Sequence, residues 1–146
     1  MIDLHNGNIG FDAFTLNSST RLIDIENFIT RRAATLNSGA QHVGVGVHLL
    51  DDKTWGVGAV VSPFKTKQVW LQMLEAKGVN PNTWDLQNEE RRRQVHDSYL
   101  KELCHDSSVS INRSISTLKY SFRWGSISST LDVRGIQALI IIEYND

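Results

Sequence analysis

The chain is poor in the residues that mark several common classes of protein. It has one cysteine, Cys104, so no disulfide can form within it, and a reducing compartment fits best. Its two prolines, Pro63 and Pro81, fall at expected element boundaries, and no Pro/Gly-rich linker, repeat or low-complexity tract divides the 146 residues. One globular domain over 1–146 is expected. Neither sign of charge dominates, since 15 Lys+Arg stand against 16 Asp+Glu. Without a basic footprint, nucleic acid is not an expected partner. The longest apolar run, Ala138-Leu139-Ile140-Ile141-Ile142, is far too short to cross a bilayer. Met1 to Gly7 carries neither a basic nor an apolar signal region, so no membrane partner and a cytoplasmic location are expected.

Motifs for cofactors are missing as well. There is no C-x-x-C or H-E-x-x-H spacing and no phosphate-loop lysine. Gly44-x-Gly46 and Gly56-x-Gly58 fall short of a dinucleotide fingerprint, because no strand–glycine loop–helix unit surrounds them. No cofactor and no metal are expected. His42 and His48 share a strand face but lie roughly 20 Å apart at about 3.3 Å per residue, too far to share one ion.

What is present reads as an ordinary globular chain: 40% hydrophobic and 21% charged residues exclude disorder. Alternation predicts a strand over about 9–16, and Asp24 is placed as the N-cap of a helix over 24–35. Val43, Val45, Val47 and Leu49 alternate with His42, Gly44, Gly46 and His48 in the clearest strand. After a turn at Asp51-Asp52-Lys53, Trp55, Val57, Ala59 and Val61 repeat the pattern against Gly56 and Gly58. A glycine-paved face would let a helix or a partner backbone come close. Gln68 to Met73 alternates like a strand while Leu71 to Gly78 reads like a helix end, and a strand over 67–74 is preferred.

Asn82-Thr83 is read as the cap of the longest helix, over 83–104, with Leu86, Val95, Tyr99, Leu100 and Leu103 as its buried stripe. Glu89, Glu90, Arg91, Arg92 and Arg93 read as a solvated face with pairing inside the helix. Ser107 to Ser116 reads as a loop. Tyr120, Phe122 and Trp124 alternate, Asp132 to Gly135 turns, and Ile136 to Tyr144 forms an apolar central strand. Together these predict an α+β fold, a mainly antiparallel sheet with one long and one short helix packed on one face.

Few residues suggest chemistry. Cys104-His105-Asp106 are neighbours in sequence, whereas catalytic triads assemble through the fold. The simpler reading packs Cys104 under the last helical turn and lets His105 complement the helix C-terminus. A hydrolase or transferase would need His96, His105 or Cys104 beside a distant carboxylate in a cleft. The carboxylates Asp51, Asp52, Glu89, Glu90, Asp97 and Asp132 read mostly as solvated charges. Trp55, Trp70, Trp84 and Trp124 are many for this length, and tryptophan serves both cores and binding hot spots. No enzyme is expected.

The order of elements resembles the cytoplasmic immunity proteins of bacterial polymorphic toxin systems, of the contact-dependent inhibition or type VI secretion type. The similar positions are Ile9-Gly10-Phe11 through Thr20 and Asp24, then Trp84 ahead of Glu89-Glu90-Arg91, then His96 and Leu100. They continue in Trp124-Gly125-Ser126-Ile127-Ser128-Ser129, the turn at Asp132 to Gly135, and the strand Ala138 to Tyr144. This resemblance implies a non-enzymatic protein that binds a cognate toxin domain and occludes it. It carries over no contact residue, and Trp84, Trp124 and Gly125 are read as scaffold. The surface lacks the strong acidity that a basic nuclease partner would call for. Independently, Asp51, Asp52, Trp55, Glu89, Glu90 and Asp97 are the expected partner-binding residues. The alternative is a small-ligand-binding or chaperone-like module with the glycine-paved face as a cleft wall. The oligomeric state is left open.

Overall fold

Alternation from Trp55 to Val61 gives β4 (Lys53–Val61) one fully apolar face, and Trp55, Val57, Ala59 and Val61 are all buried. The computed structural model describes residues 1–27, 41–80, 82–105, 110–113, 117–132 and 134–145. β4 pairs on one side with β3 (Gln41–Leu50) and on the other with β5 (Thr66–Met73). The strand expected over 67–74 is therefore present. β9 (Gln137–Tyr144) runs beside β5 and is central, as its apolar run predicts. Next come β8 (Gly125–Asp132), β7 (Thr117–Ser121) and β6 (Ser110–Arg113), completing a seven-stranded antiparallel sheet in the order β3-β4-β5-β9-β8-β7-β6. Ile127, Ile140, Ile142, Val69 and Leu71 line its inner face, each fully buried and each contributing about 1.5–3 kcal/mol of burial.

The fold is α+β, with the long helix α2 (Leu86–Leu103) and the short helix α1 (Leu22–Glu26) on the inner face. Several sequence expectations are corrected in detail. In place of one strand over 9–16, β1 (Ile9–Gly10) and β2 (Thr15–Leu16) pair across a tight loop, closed by the Phe11 amide donating to the Phe14 carbonyl at 2.9 Å. The two phenyl rings lie 5.0 Å apart and pack on His48, which ties the loop to β3. In α1 the N-cap is Arg21, not Asp24. Asp24 sits one turn in and accepts the Arg21 amide at 2.9 Å, still serving an exposed first-turn donor. The rest of the helix expected to residue 35 lies outside the described residues.

β3 breaks its own pattern. A bulge between Gly44 and Gly46, with Gly46 at φ +102°, inserts one residue and exchanges the faces beyond it. Val43 and Val45 are buried as predicted, but Val47 and Leu49 are exposed and Leu50 takes the inner position. The segment read as a loop over 107–116 contributes β6 at the sheet edge. Phe122 and Trp124 leave the alternation after β7 and stack in the turn to β8 at 5.2 Å.

Candidate functional site

α2 is capped by Asp85, whose carboxylate accepts the Asn88 amide at 2.8 Å, so the helix begins three residues beyond the expected Asn82-Thr83 cap. Of the predicted apolar stripe, Leu100 is buried and Val95, Tyr99 and Leu103 pack partly buried on the core, but the most buried face of the helix is largely polar. Asn88, Glu89, Arg92, His96, Asp97 and Leu100 are buried, while Leu86 is half exposed. Against the expectation of a solvated face, Glu89 is 0% exposed and Arg92 1%.

The sheet explains this polar face. β5 and β9 pair through Leu71↔Ile140, and two more steps of that register would set Met73 opposite Ala138. The ladder stops short of them, and α2 fills the split. The Ala138 amide donates to Glu89 Oε1 at 3.0 Å, and the Met73 amide donates to His96 Nε2 at 3.0 Å. Gln72 reaches the same place, donating to the Ala138 carbonyl at 3.3 Å and to Glu89 at 3.4 Å. Buried backbone donors need acceptors, and the helix supplies them. Arg92 donates to both Glu89 oxygens, at 2.8 and 2.6 Å, and lies 5.5 Å from the centre of the Trp84 ring. Burial, with the Arg92 cation beside it, pushes the His96 pKa down to about 3, so the ring is neutral and carries its proton on Nδ1.

The chain brings Trp55, His96 and Tyr99 together: the indole stacks on His96 at 5.8 Å and meets the Tyr99 ring at 5.1 Å. The Tyr99 hydroxyl donates to Asp51 at 2.7 Å, and both burial and that carboxylate raise its pKa. Asp51 and Asp52 form the exposed β3–β4 turn at φ 52° and 61°, a left-handed pair suited to a two-residue hairpin. Beside it Asp51, Lys53, Tyr99, Glu102 and Leu103 surround a hollow of about 220 Å³. Of the six expected contact residues, Asp51 and Asp52 are on the surface and Glu90 is partly exposed, paired with Arg93. Trp55, Glu89 and Asp97 are corrections: at 0%, 0% and 5% exposure they belong to the interior. Asp97 meets Arg93 at 3.0 Å, so pairing within the helix holds for Glu89, Glu90 and Asp97 alike.

Among the described residues, those singled out for chemistry do not converge, and Asp106 lies outside them. His96 and Cys104 sit eight residues apart on α2, about 12 Å along its axis. Burial pushes the Cys104 thiol up to about 11, leaving little thiolate at neutral pH. His105 Nδ1 bonds the Glu102 carbonyl at 2.7 Å, at the helix C-terminus where it was expected. Among the described residues no group of three His, Cys, Asp or Glu side chains is placed to hold a metal ion. No described helix is long and apolar enough to cross a membrane.

Among the described residues, α1 and α2 both lie on the inner side of the sheet, and no described helix packs on the opposite, outer face. Val60, Gln68, Trp70, Ile141 and Ser128 lie there, all half-buried, with Glu143 exposed. Of the four strand glycines, Gly58 serves Trp70, whereas Gly44 faces open space. The Trp70 indole lies over Gly58, where a Cβ would occupy the same space, so the Gly58 half of the glycine pair Gly44↔Gly58 is filled. Toward one end of this face Val60, Lys67, Gln68, Lys119, Phe122 and Glu143 line an open groove of about 450 Å³. None of these groove residues was singled out from sequence; the only signal is a strand alternating apolar with mixed rather than strongly charged residues. Compared with protein-family models, curated proteins and solved structures, the chain matches nothing.

Proposed function

We propose that this chain is a cytoplasmic immunity protein that binds a cognate bacterial toxin domain, meeting it with the outer sheet face and the Asp51-Asp52 tip. The observation that carries the reading is an outer sheet face on which, among the described residues, no helix packs. Seven strands at about 4.8 Å spacing and about 3.3 Å per residue make a face on the order of 700 Å². That is close to the roughly 800 Å² per partner of a stable protein complex. The side chains there are mixed, with an aromatic, aliphatics and a few charges, as in a typical interface. The reading also fits the inward use of His96 Nε2, the Glu89 carboxylate and the Tyr99 hydroxyl, each of which serves an internal bond. The family resemblance supplies the toxin as partner.

The test is a tagged pull-down from native cells, followed by co-expression with the toxin domain recovered. A stoichiometric toxin domain whose toxicity the chain suppresses supports the reading. A solitary chain that also fails to protect against a toxin encoded beside it overturns it. The second reading, a small polar ligand held in the 450 Å³ groove, is favoured by that volume alone.

A further inference from the structure

The contact between α2 and the split sheet has two features that belong together. First, the acceptor used by Met73 is a histidine nitrogen, Nε2 of His96, at 3.0 Å. Unlike a carbonyl, this acceptor is lost on protonation, and the new N–H would then point at another N–H. Second, the two amides that α2 captures, those of Met73 and Ala138, occupy facing positions in the continued β5–β9 register. If α2 withdraws, the two strands can exchange those hydrogen bonds with each other. Both arrangements satisfy the same backbone donors, which is what a two-state element requires.

We propose that the seat of α2 in the β5–β9 split is an acid-released latch, closed while His96 is neutral and opened when it takes a proton. The surroundings of His96 favour release over accommodation. Arg92, one turn away on α2, is a second cation, and Glu89 already gives both oxygens to it. Asp97, the next residue in the chain, is turned to Arg93, and Asp51 reaches the cluster only through Tyr99. From β4 comes the Trp55 ring and from β5 the Met73 backbone, neither charged at any relevant pH. The inner faces of β8 and β9 opposite α2 present Ile127, Ser129, Ala138 and Ile140, again without charge. The Trp55 face favours a cation, but it cannot replace the acceptor that Met73 loses.

The sign follows from the two protonation equilibria. In the closed state the His96 pKa is lowered to about 3, while an opened, hydrated imidazole titrates near its ordinary 6.5. Closure is therefore fully favoured above pH 6.5 and weakens as pH falls from there toward 3. Taking up one proton on opening multiplies the open fraction about tenfold per pH unit within that window. The latch concerns the fold itself and stands whether or not the partner is a toxin.

Native-state hydrogen exchange of the full chain between pH 7 and pH 5 tests it, with rates corrected for the intrinsic pH dependence of exchange. The expected result is a fall in the protection of the Met73 and Ala138 amides, together, by about tenfold per pH unit below 6.5. Amides of the β3–β4 ladder should keep theirs. In His96→Gln, whose side-chain carbonyl accepts a hydrogen bond and does not titrate, protection at Met73 should be flat with pH. Parallel loss across all strands would mean ordinary acid unfolding and would overturn the latch, as would Met73 protection that ignores pH in the wild type. If His96→Gln does not fold, the wild-type comparison of Met73 with the β3–β4 ladder decides alone.

Discussion

Met73 and Ala138 face each other in the extended β5–β9 register, yet each gives its amide to α2, Met73 to His96 and Ala138 to Glu89. The polar inner face of the helix thereby supplies acceptors for two buried backbone donors of the strands, completing in part the ladder that they leave unfinished.

The Glu89–Arg92 pair should therefore behave as part of the sheet. Arg92→Met strands a buried carboxylate and is expected to cost about 3–5 kcal/mol in urea unfolding. Glu89→Leu combined with Arg92→Met removes both charges but still leaves the Ala138 amide without its acceptor, at about 1–3 kcal/mol. A double variant as stable as the wild type would show that the amide bond contributes nothing.

Gly58 should be intolerant because of one neighbour. Gly58→Ala drives a methyl group into the Trp70 indole and is expected to cost about 1–3 kcal/mol by overpacking. Trp70→Leu in that background should recover part of the loss, giving a coupling free energy in a double-mutant cycle. Strictly additive effects would contradict the packing described.

Cys104 should react slowly with a thiol reagent in the native state. Its pKa of about 11, against 9.0 for the free thiol, lowers the thiolate fraction about a hundredfold at neutral pH. Labelling as fast as in denaturant would mean that the thiol is not buried.

Asp52 is the cleaner of the two turn acids as a probe of association, since Asp51 is bonded to Tyr99. Asp52→Lys should slow association with the partner and change its salt dependence while leaving the unfolding midpoint within about 0.5 kcal/mol. An unchanged association rate would remove the turn from the interface.

The sheet was largely legible because alternation is a local signal. Trp55 to Val61 and the apolar run to Tyr144 announce their buried faces without reference to anything distant. The bulge in β3 was not, since Gly44 and Gly46 are equivalent in sequence and only the fold selects Gly46 for a positive φ. The inner face of α2 was misread for a different reason. Sequence patterning assumes that a buried stripe is apolar, whereas this helix meets unpaired amides of strands β5 and β9. Glu89, Arg92 and His96 do recur at helical spacing, but nothing local distinguishes them from a solvated face. Glu89 and Asp97 leave the expected contact set for that reason and Trp55 because it lies on the apolar face of β4, while the residues of the outer sheet face are unremarkable one by one.

Whether the outer face meets the partner is decided by protection of cells expressing the recovered toxin domain, by the wild-type chain and by a Gln68→Arg, Lys119→Glu variant of that face. Both substitutions lie on half-exposed positions away from the core, so the variant should fold with an unchanged circular dichroism spectrum. The wild type is expected to protect, and the folded variant to lose protection and binding at least tenfold. A variant that protects as well as the wild type would contradict the assignment of the outer face.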